Sequence, residues 1–205
     1  MKIYHVTTGL LGVNTYFLVN EKTKNAILID GGESYKAIKK TESDLGVKIT
    51  TLLLTHAHFD HAGNAGQLQK DGVKVLISEI DAPKLSNGLN LASDFGRTFN
   101  SFIPDQMLKD GQVLNIEDIQ IKVIATPGHT DGSLTFMVGN SLFTGDTLFL
   151  ESVGRTDFPT GNKTQLINSV KKLFALEGDY NVYPGHQEFT TLSHERENNF
   201  FVDYD

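Results

Sequence analysis

The chain has 205 residues, 39% of them apolar and 21% charged; this is an ordinary globular composition, and the length fits one large domain, residues 1–205, better than two small ones. Its net charge of −7 argues against a nucleic-acid partner, which needs a basic stripe, and the absence of cysteine excludes disulfides, thiolate metal sites and cysteine nucleophiles. No apolar run approaches the roughly 20 residues that cross a bilayer, and Met1-Lys2-Ile3-Tyr4-His5 lacks the basic start and apolar stretch of an export signal, so a cytoplasmic protein with no membrane partner is expected.

Strand-like runs rich in β-branched and apolar residues occupy residues 14–19 and 26–29. A helix follows over residues 34–45, closed by Gly46 as its C-cap. Further strands are expected at 50–54, 73–77, 113–125, 134–138 and 141–144, the last two joined as a hairpin by the Gly139-Asn140 turn. Residues 163–175 place Leu166, Ile167, Val170, Leu173 and Phe174 on one stripe of an amphipathic helix. The Lys39-Lys40 and Lys171-Lys172 pairs fall on the solvated faces of these two helices. A short strand at 180–183 and a helix at 193–199 complete the chain. Strands and helices alternate once in each half, a pattern that predicts two sheets with helices on their outer faces.

The most informative segment is Leu52-Leu53-Leu54-Thr55-His56-Ala57-His58-Phe59-Asp60-His61, a buried strand followed by four potential metal ligands within six positions. In extended backbone alternate side chains share a face, so His56 and His58 can approach one ion together. Asp60 and His61 are adjacent, and a turn opening the next helix can aim them at a neighbouring ion. Three later strand ends each supply one more ligand directly after a glycine: Gly128-His129, Gly145-Asp146 and Gly185-His186. A lone histidine is most often an ordinary polar residue, but three such strand ends beside the upstream cluster are hard to explain as core packing. Asp30 also ends a strand and is expected to bind turn amides beside the site. His5 and His194 lack any partner pattern and are read as surface residues.

The His-x-His-x-Asp-His run with the separate His129, Asp146 and His186 resembles the metallo-β-lactamase superfamily, over nearly the whole chain from Asn14-Thr15-Tyr16 to His186. The resemblance implies an α/β fold, a four-layer αβ/βα sandwich of two mixed sheets with helices on the outer faces and the site at one edge. It implies that His56, His58 and His129 hold the first of two divalent metal ions, that Asp60, His61 and His186 hold the second, and that Asp146 bridges both. Ser152-Val153-Gly154-Arg155-Thr156-Asp157-Phe158-Pro159 and the tail from Thr190 to Asn199 resemble short, single-domain glyoxalase II-like thioesterases. Two departures bear on the thiol: the helical domain that helps full-length glyoxalase II enzymes bind glutathione has no counterpart in these residues, and Glu188 stands where that family has an aromatic contact.

Such a centre is expected to act through charge. Two cations roughly 3.5–4 Å apart share a water and lower its pKa towards ~7, giving hydroxide for attack on a thioester carbonyl, with Asp60 and Asp146 as the catalytic carboxylates. Zinc suits the imidazole-rich first group, and the carboxylates also admit iron or manganese. Arg155 has two open readings, a grip on a substrate carboxylate or a buried ion pair with Asp157; Thr130 and Asp30 are read as supports behind the ligands. The expected partner is a small-molecule thioester. A β-lactamase or lactonase, an RNA-processing nuclease, a mononuclear iron persulfide dioxygenase and a non-catalytic binding module are the competing functions, and the dioxygenase is separated by metal count and O2 uptake.

Overall fold

The computed structural model describes residues 1–202. The first half gives β1 (Lys2–Thr8), β2 (Val13–Asn20), β3 (Asn25–Ile29), α1 (Tyr35–Leu45), β4 (Lys48–Leu53), α2 (Phe59–Ala62), α3 (Ala65–Lys70), β5 (Lys74–Ser78), α4 (Lys84–Asn87) and β6 (Gln106–Leu108). The second gives β7 (Val113–Ile116), β8 (Ile119–Ala125), β9 (Leu134–Val138), β10 (Ser141–Gly145), β11 (Leu148–Phe149), β12 (Ser152–Val153), α5 (Lys163–Phe174), β13 (Asn181–Pro184), β14 (Thr190–Thr191) and α6 (Leu192–Asn198).

Strands β1 to β6 form one sheet in sequence order, and the other large sheet has the order β14-β13-β10-β9-β8-β7. Both are mixed: β3, β4, β5 and β6 run parallel beside the antiparallel β1 and β2, and β13 joins β10 in parallel within an otherwise antiparallel sheet. Alternation along β2 shows how the layers form. Tyr16 and Leu18 pack between the sheets with Ile121, Val123, Phe136 and Phe143, whereas Phe17 and Val19 face Ile38 of α1 and Leu68 of α3. Both faces of the strand are covered, so its middle, Tyr16 to Val19, reads as a continuous apolar run and not as apolar–polar alternation. On the far side Ile124, Leu142 and Val182 pack against Ile167, Val170 and Leu173 of α5. The result is the four-layer αβ/βα sandwich.

Helix α1 begins and ends as its sequence predicts: the Ser34 side chain accepts a hydrogen bond from Ala37 N, and Gly46 closes the helix in left-handed backbone at φ 61°. The expected run at 113–125 is instead a hairpin. It turns at Glu117-Asp118, both with positive φ (52° and 59°), and pairs Ile116 with Ile119. Strand β1 is an exposed edge with no apolar alternation to announce it. Among the described residues no helix is long and apolar enough to cross a membrane.

Two backbone hydrogen bonds, Asn14 N to Gly185 O at 2.7 Å and Leu134 N to Thr55 O at 2.8 Å, tie the sheets together along one edge. Strands β3, β4, β8, β10 and β13 all end there.

Candidate metal centre

Asp30, just past β3, has φ 59°, a left-handed conformation that aspartate tolerates better than most residues. Its carboxylate accepts hydrogen bonds from Thr55 N at 2.8 Å, from Thr55 Oγ1 at 2.9 Å and from His61 Nδ1 at 2.8 Å. Because the Thr55 hydroxyl donates to Asp30, it accepts from His56 Nδ1, 3.0 Å away. One carboxylate therefore orients His61 directly and His56 through Thr55, so that in the neutral form of each ring Nε2 is the acceptor. The expected support role of Asp30 extends in this way from turn amides to two of the candidate ligands.

The other histidines are set by backbone carbonyls. His129 Nδ1 donates to Arg155 O at 2.8 Å, and His186 Nδ1 donates to Leu11 O at 3.0 Å. Their Nε2 atoms turn inward: His129 Nε2 lies 2.9 Å from His58 Nδ1, and His186 Nε2 lies 3.2 Å from His61 Nε2. Two imidazole nitrogens at such separations are held as acceptors around shared positive charge far better than against each other.

Candidate ligand atoms gather in three overlapping groups, each within 4.8 Å: His56, His58 and His129; His56, His61 and Asp146; and Asp60, His61 and His186. Asp146 lies between the first and last groups, with Oδ2 at 3.4 Å from His129 Nε2 and 3.6 Å from His186 Nε2, and Oδ1 at 3.4 Å from His61 Nε2. Asp60 Oδ2 lies 3.2 Å from His186 Nε2. The buried His56 Nε2 and Asp146 Oδ1 have no hydrogen-bond partner, an expensive arrangement for polar atoms unless a cation takes them up. This donor set of imidazoles and carboxylates fits divalent cations. All seven residues expected from the sequence are thus brought together.

Two glycines make the approach close enough. A Cβ on Gly185 would stand 2.3 Å from Asp146 Oδ1 and 2.7 Å from the His61 ring, and one on Gly145, at φ 51°, would stand 2.5 Å from Thr55 Oγ1.

The site is electrostatically divided. Burial and then the neighbouring histidines push the pKa of His56 and His58 well down, towards the neutral form that ligates a metal. At His61 burial also pushes down, but Asp60, Asp146 and Asp30 outweigh it and the pKa is raised; His186 is raised against burial by Asp146 and Asp60. For Asp60 burial pushes up, and His61 and His186 prevail, holding the carboxyl well below its usual range.

One supporting group escaped the sequence reading. Asp81, fully buried between β5 and α4, accepts hydrogen bonds from Ala57 N at 2.9 Å and Thr130 Oγ1 at 3.0 Å. It thereby links the loop of His56 and His58 to the loop of His129, and the buried Lys84 balances its charge while also pairing with Asp131. Thr130 supports the centre through this carboxylate, and its hydroxyl is placed between Asp81 and Ser133. The signal was present as Asp81-x-x-Lys84 after a strand, which reads equally well as a surface turn. His5 is exposed as expected; His194 is half-buried and, contrary to expectation, has a partner in Glu151 at 2.9 Å.

The candidate ligands open into a cleft of about 620 Å³. Phe59, Leu91, Phe95 and Phe158 line it beside His58 and His129, while Leu11 and Phe149 line it beside His186. Arg155 also lines it. Its guanidinium makes two hydrogen bonds to Asp157, at 2.7 and 2.6 Å, and lies 3.9 Å from the centre of the Phe158 ring. This pair is exposed, with side chains 56% and 64% accessible, and not the buried bridge considered from sequence.

Residues 8–186 match the metallo-beta-lactamase superfamily. The chain is 36% identical to the hydroxyacylglutathione hydrolase GloC of Haemophilus influenzae, over 90% of this chain and 91% of that one. It superposes on BLEG-1, described as a B3 metallo-beta-lactamase, with a TM-score of 0.93 and 30% identity, covering 98% and 99% of the two chains. It superposes on TTHA1623 in a di-iron-bound form with a TM-score of 0.86 and 32% identity, covering 97% and 99%. Taken with the sandwich and its edge of converging histidines and aspartates, these likenesses establish that the chain belongs to the metallo-beta-lactamase superfamily and is a metal-dependent hydrolase of that group.

Proposed function

We propose that this protein is a glyoxalase II-like thioesterase that hydrolyses lactoylglutathione or a related small acyl thioester in the cytoplasm, with no nucleic-acid or membrane partner. The observation that carries the hydrolytic reading is the convergence of two ligand groups on Asp146 at the floor of an open cleft; the likeness to a hydroxyacylglutathione hydrolase supports the thioester. In this reading His56, His58 and His129 would hold one cation, Asp60, His61 and His186 would hold another, and Asp146, whose Oδ2 faces His129 and His186, would serve both groups. When bound, such a pair supplies Lewis acidity and a water whose pKa is lowered to about 7. Zinc fits this donor set, and iron fits as well, given the di-iron relative.

The chain's own residues do the remaining work. Asp30, Thr55, Leu11 O and the Arg155 carbonyl fix the ring tautomers, so the nitrogens facing the cleft are acceptors before substrate arrives. Asp60, kept ionised beside His61 and His186, lines the cleft and accepts a hydrogen bond from the attacking water. Phe59, Phe95 and Phe158 shield the reacting carbonyl from bulk water on one side. The leaving thiol has an ordinary pKa of about 8.5 and departs as thiolate without a strong general acid.

The test is metal analysis of purified protein together with a thioester panel that includes lactoylglutathione, one β-lactam and one persulfide. Two ions per chain after loading with zinc, iron or manganese, and turnover of thioesters, are expected. The similarity to BLEG-1 makes β-lactam hydrolysis the second reading, and turnover of the β-lactam alone would put it first. A single iron with O2 uptake on the persulfide would replace hydrolysis by dioxygenation.

A further inference from the structure

Arg155 is the one lysine or arginine among the described residues that line the cleft, and its charge is already engaged. Asp157 takes the guanidinium through two parallel hydrogen bonds, the geometry in which arginine would bind a ligand carboxylate. The Phe158 ring holds the same guanidinium 3.9 Å from its centre, and that ring stands next to His58, with 5.8 Å between centroids. A carboxylate on the acyl group therefore meets a guanidinium whose charge Asp157 already balances and whose Nε and Nη2 donors it occupies, and it competes with Asp157 for Arg155. An apolar substrate meets no such competition. It packs on Phe158 and Phe95, whose rings are 6.1 Å apart, and gains by covering apolar surface.

We propose that Asp157 is a specificity-determining residue: by holding Arg155 against Phe158 it withdraws the cleft's cation from ligands, so that the site selects thioesters with an uncharged, apolar acyl group over those carrying a carboxylate. This rests on the thioesterase reading for its substrate but on the Arg155–Asp157–Phe158 geometry for its selectivity. The pair is exposed, so its competition is modest and the selectivity it imposes is about three- to tenfold.

The experiment uses metal-loaded protein and two thioesters of one neutral thiol, N-acetylcysteamine, with hexanoyl and glutaryl groups, at fixed ionic strength. The parent protein is expected to favour hexanoyl in kcat/KM. Asp157→Asn lowers that preference by about three- to tenfold through a reduced KM for glutaryl. Removing any acidic residue at a cleft rim attracts anions generally, so the same substitution is made in an Arg155→Gln background, where the preference should stay as it is without Asp157→Asn. An unchanged ratio in Asp157→Asn, or an equal change with and without Arg155, overturns the proposal. Dissociation constants of the matching non-hydrolysable thioethers are measured by calorimetry on the same four proteins. They read the charge filter even if no thioester is turned over, in which case the thioesterase reading fails and the selectivity is still decided.

Discussion

Asp146 Oδ2 lies within 3.6 Å of a histidine from each outer ligand group, so its removal disturbs both groups at once. Asp146→Ala is expected to lower kcat by more than the 10- to 100-fold that loss of an outer partner typically costs, whereas His194→Ala, which breaks contacts to Glu151 and Asn198 away from the cleft, should change kcat by less than about twofold. Steady-state kinetics with circular dichroism to check folding decides it; comparable losses from the two substitutions would mean that ligand and bystander have been confused. At this scale the seven candidate ligands were legible because chemistry forces their types and spacing into the sequence: four of them lie within six positions, and each of the others follows a glycine at a strand end. The state of Arg155 was not legible. Whether a guanidinium faces substrate, Asp157 or Phe158 depends on side-chain torsions in a loop, and no spacing rule encodes those.

Secondary elements that carry their own stop and start signals were read from sequence to within a residue or two, as with α1 between Ser34 and Gly46 and α5 after Asn162, whose side chain accepts from Gln165 N. The β7–β8 turn was missed because Glu117-Asp118 lacks the glycine or asparagine that normally marks positive φ at both positions. Contacts between elements were least legible, and Asp81 is the example, since its partners lie 24 and 49 residues away. Its position gives a prediction at this scale. In Asp81→Asn one carbonyl-like acceptor remains but the buried one of the two charges opposing Lys84 is lost, leaving only that of Asp131, so the loops of His56, His58 and His129 should loosen together. Cation affinity at that group is expected to fall by about 10- to 100-fold, with the group of Asp60, His61 and His186 little affected. A calorimetric cation titration showing both binding events weakened equally, or neither, would return Asp81 to a purely structural role.

Across the whole molecule, the candidate ligands divide between the two halves of the sandwich: His56, His58, Asp60 and His61 follow β4, and His129, Asp146 and His186 follow β8, β10 and β13. Cations held by both sets would bind the folded chain and not the unfolded one, and would couple the sheets at the edge already joined by Asn14–Gly185 and Leu134–Thr55. A ligand present at 100 times its dissociation constant stabilises the fold by about 2.7 kcal/mol, and 1 kcal/mol moves Tm by about 2–4 °C in a chain of this size. Chelation should therefore lower Tm by roughly 5–11 °C. The increment should also depend on pH. In the metal-free protein His61 and His186 have raised pKa values because the carboxylates of Asp60 and Asp146 face them. Their protonated forms stabilise the metal-free fold most at pH values below the ordinary histidine pKa of about 6.5, and that contribution is lost as pH rises through the raised values. Cation binding displaces the same protons, so affinity rises over the same window. These are two sides of one linkage, which widens the gap between loaded and chelated protein as pH increases. Melting curves at pH 6 and 8, with and without chelator, are expected to show the larger gap at pH 8; an equal gap, or a larger one at pH 6, would mean that these two histidines do not hold the displaced protons.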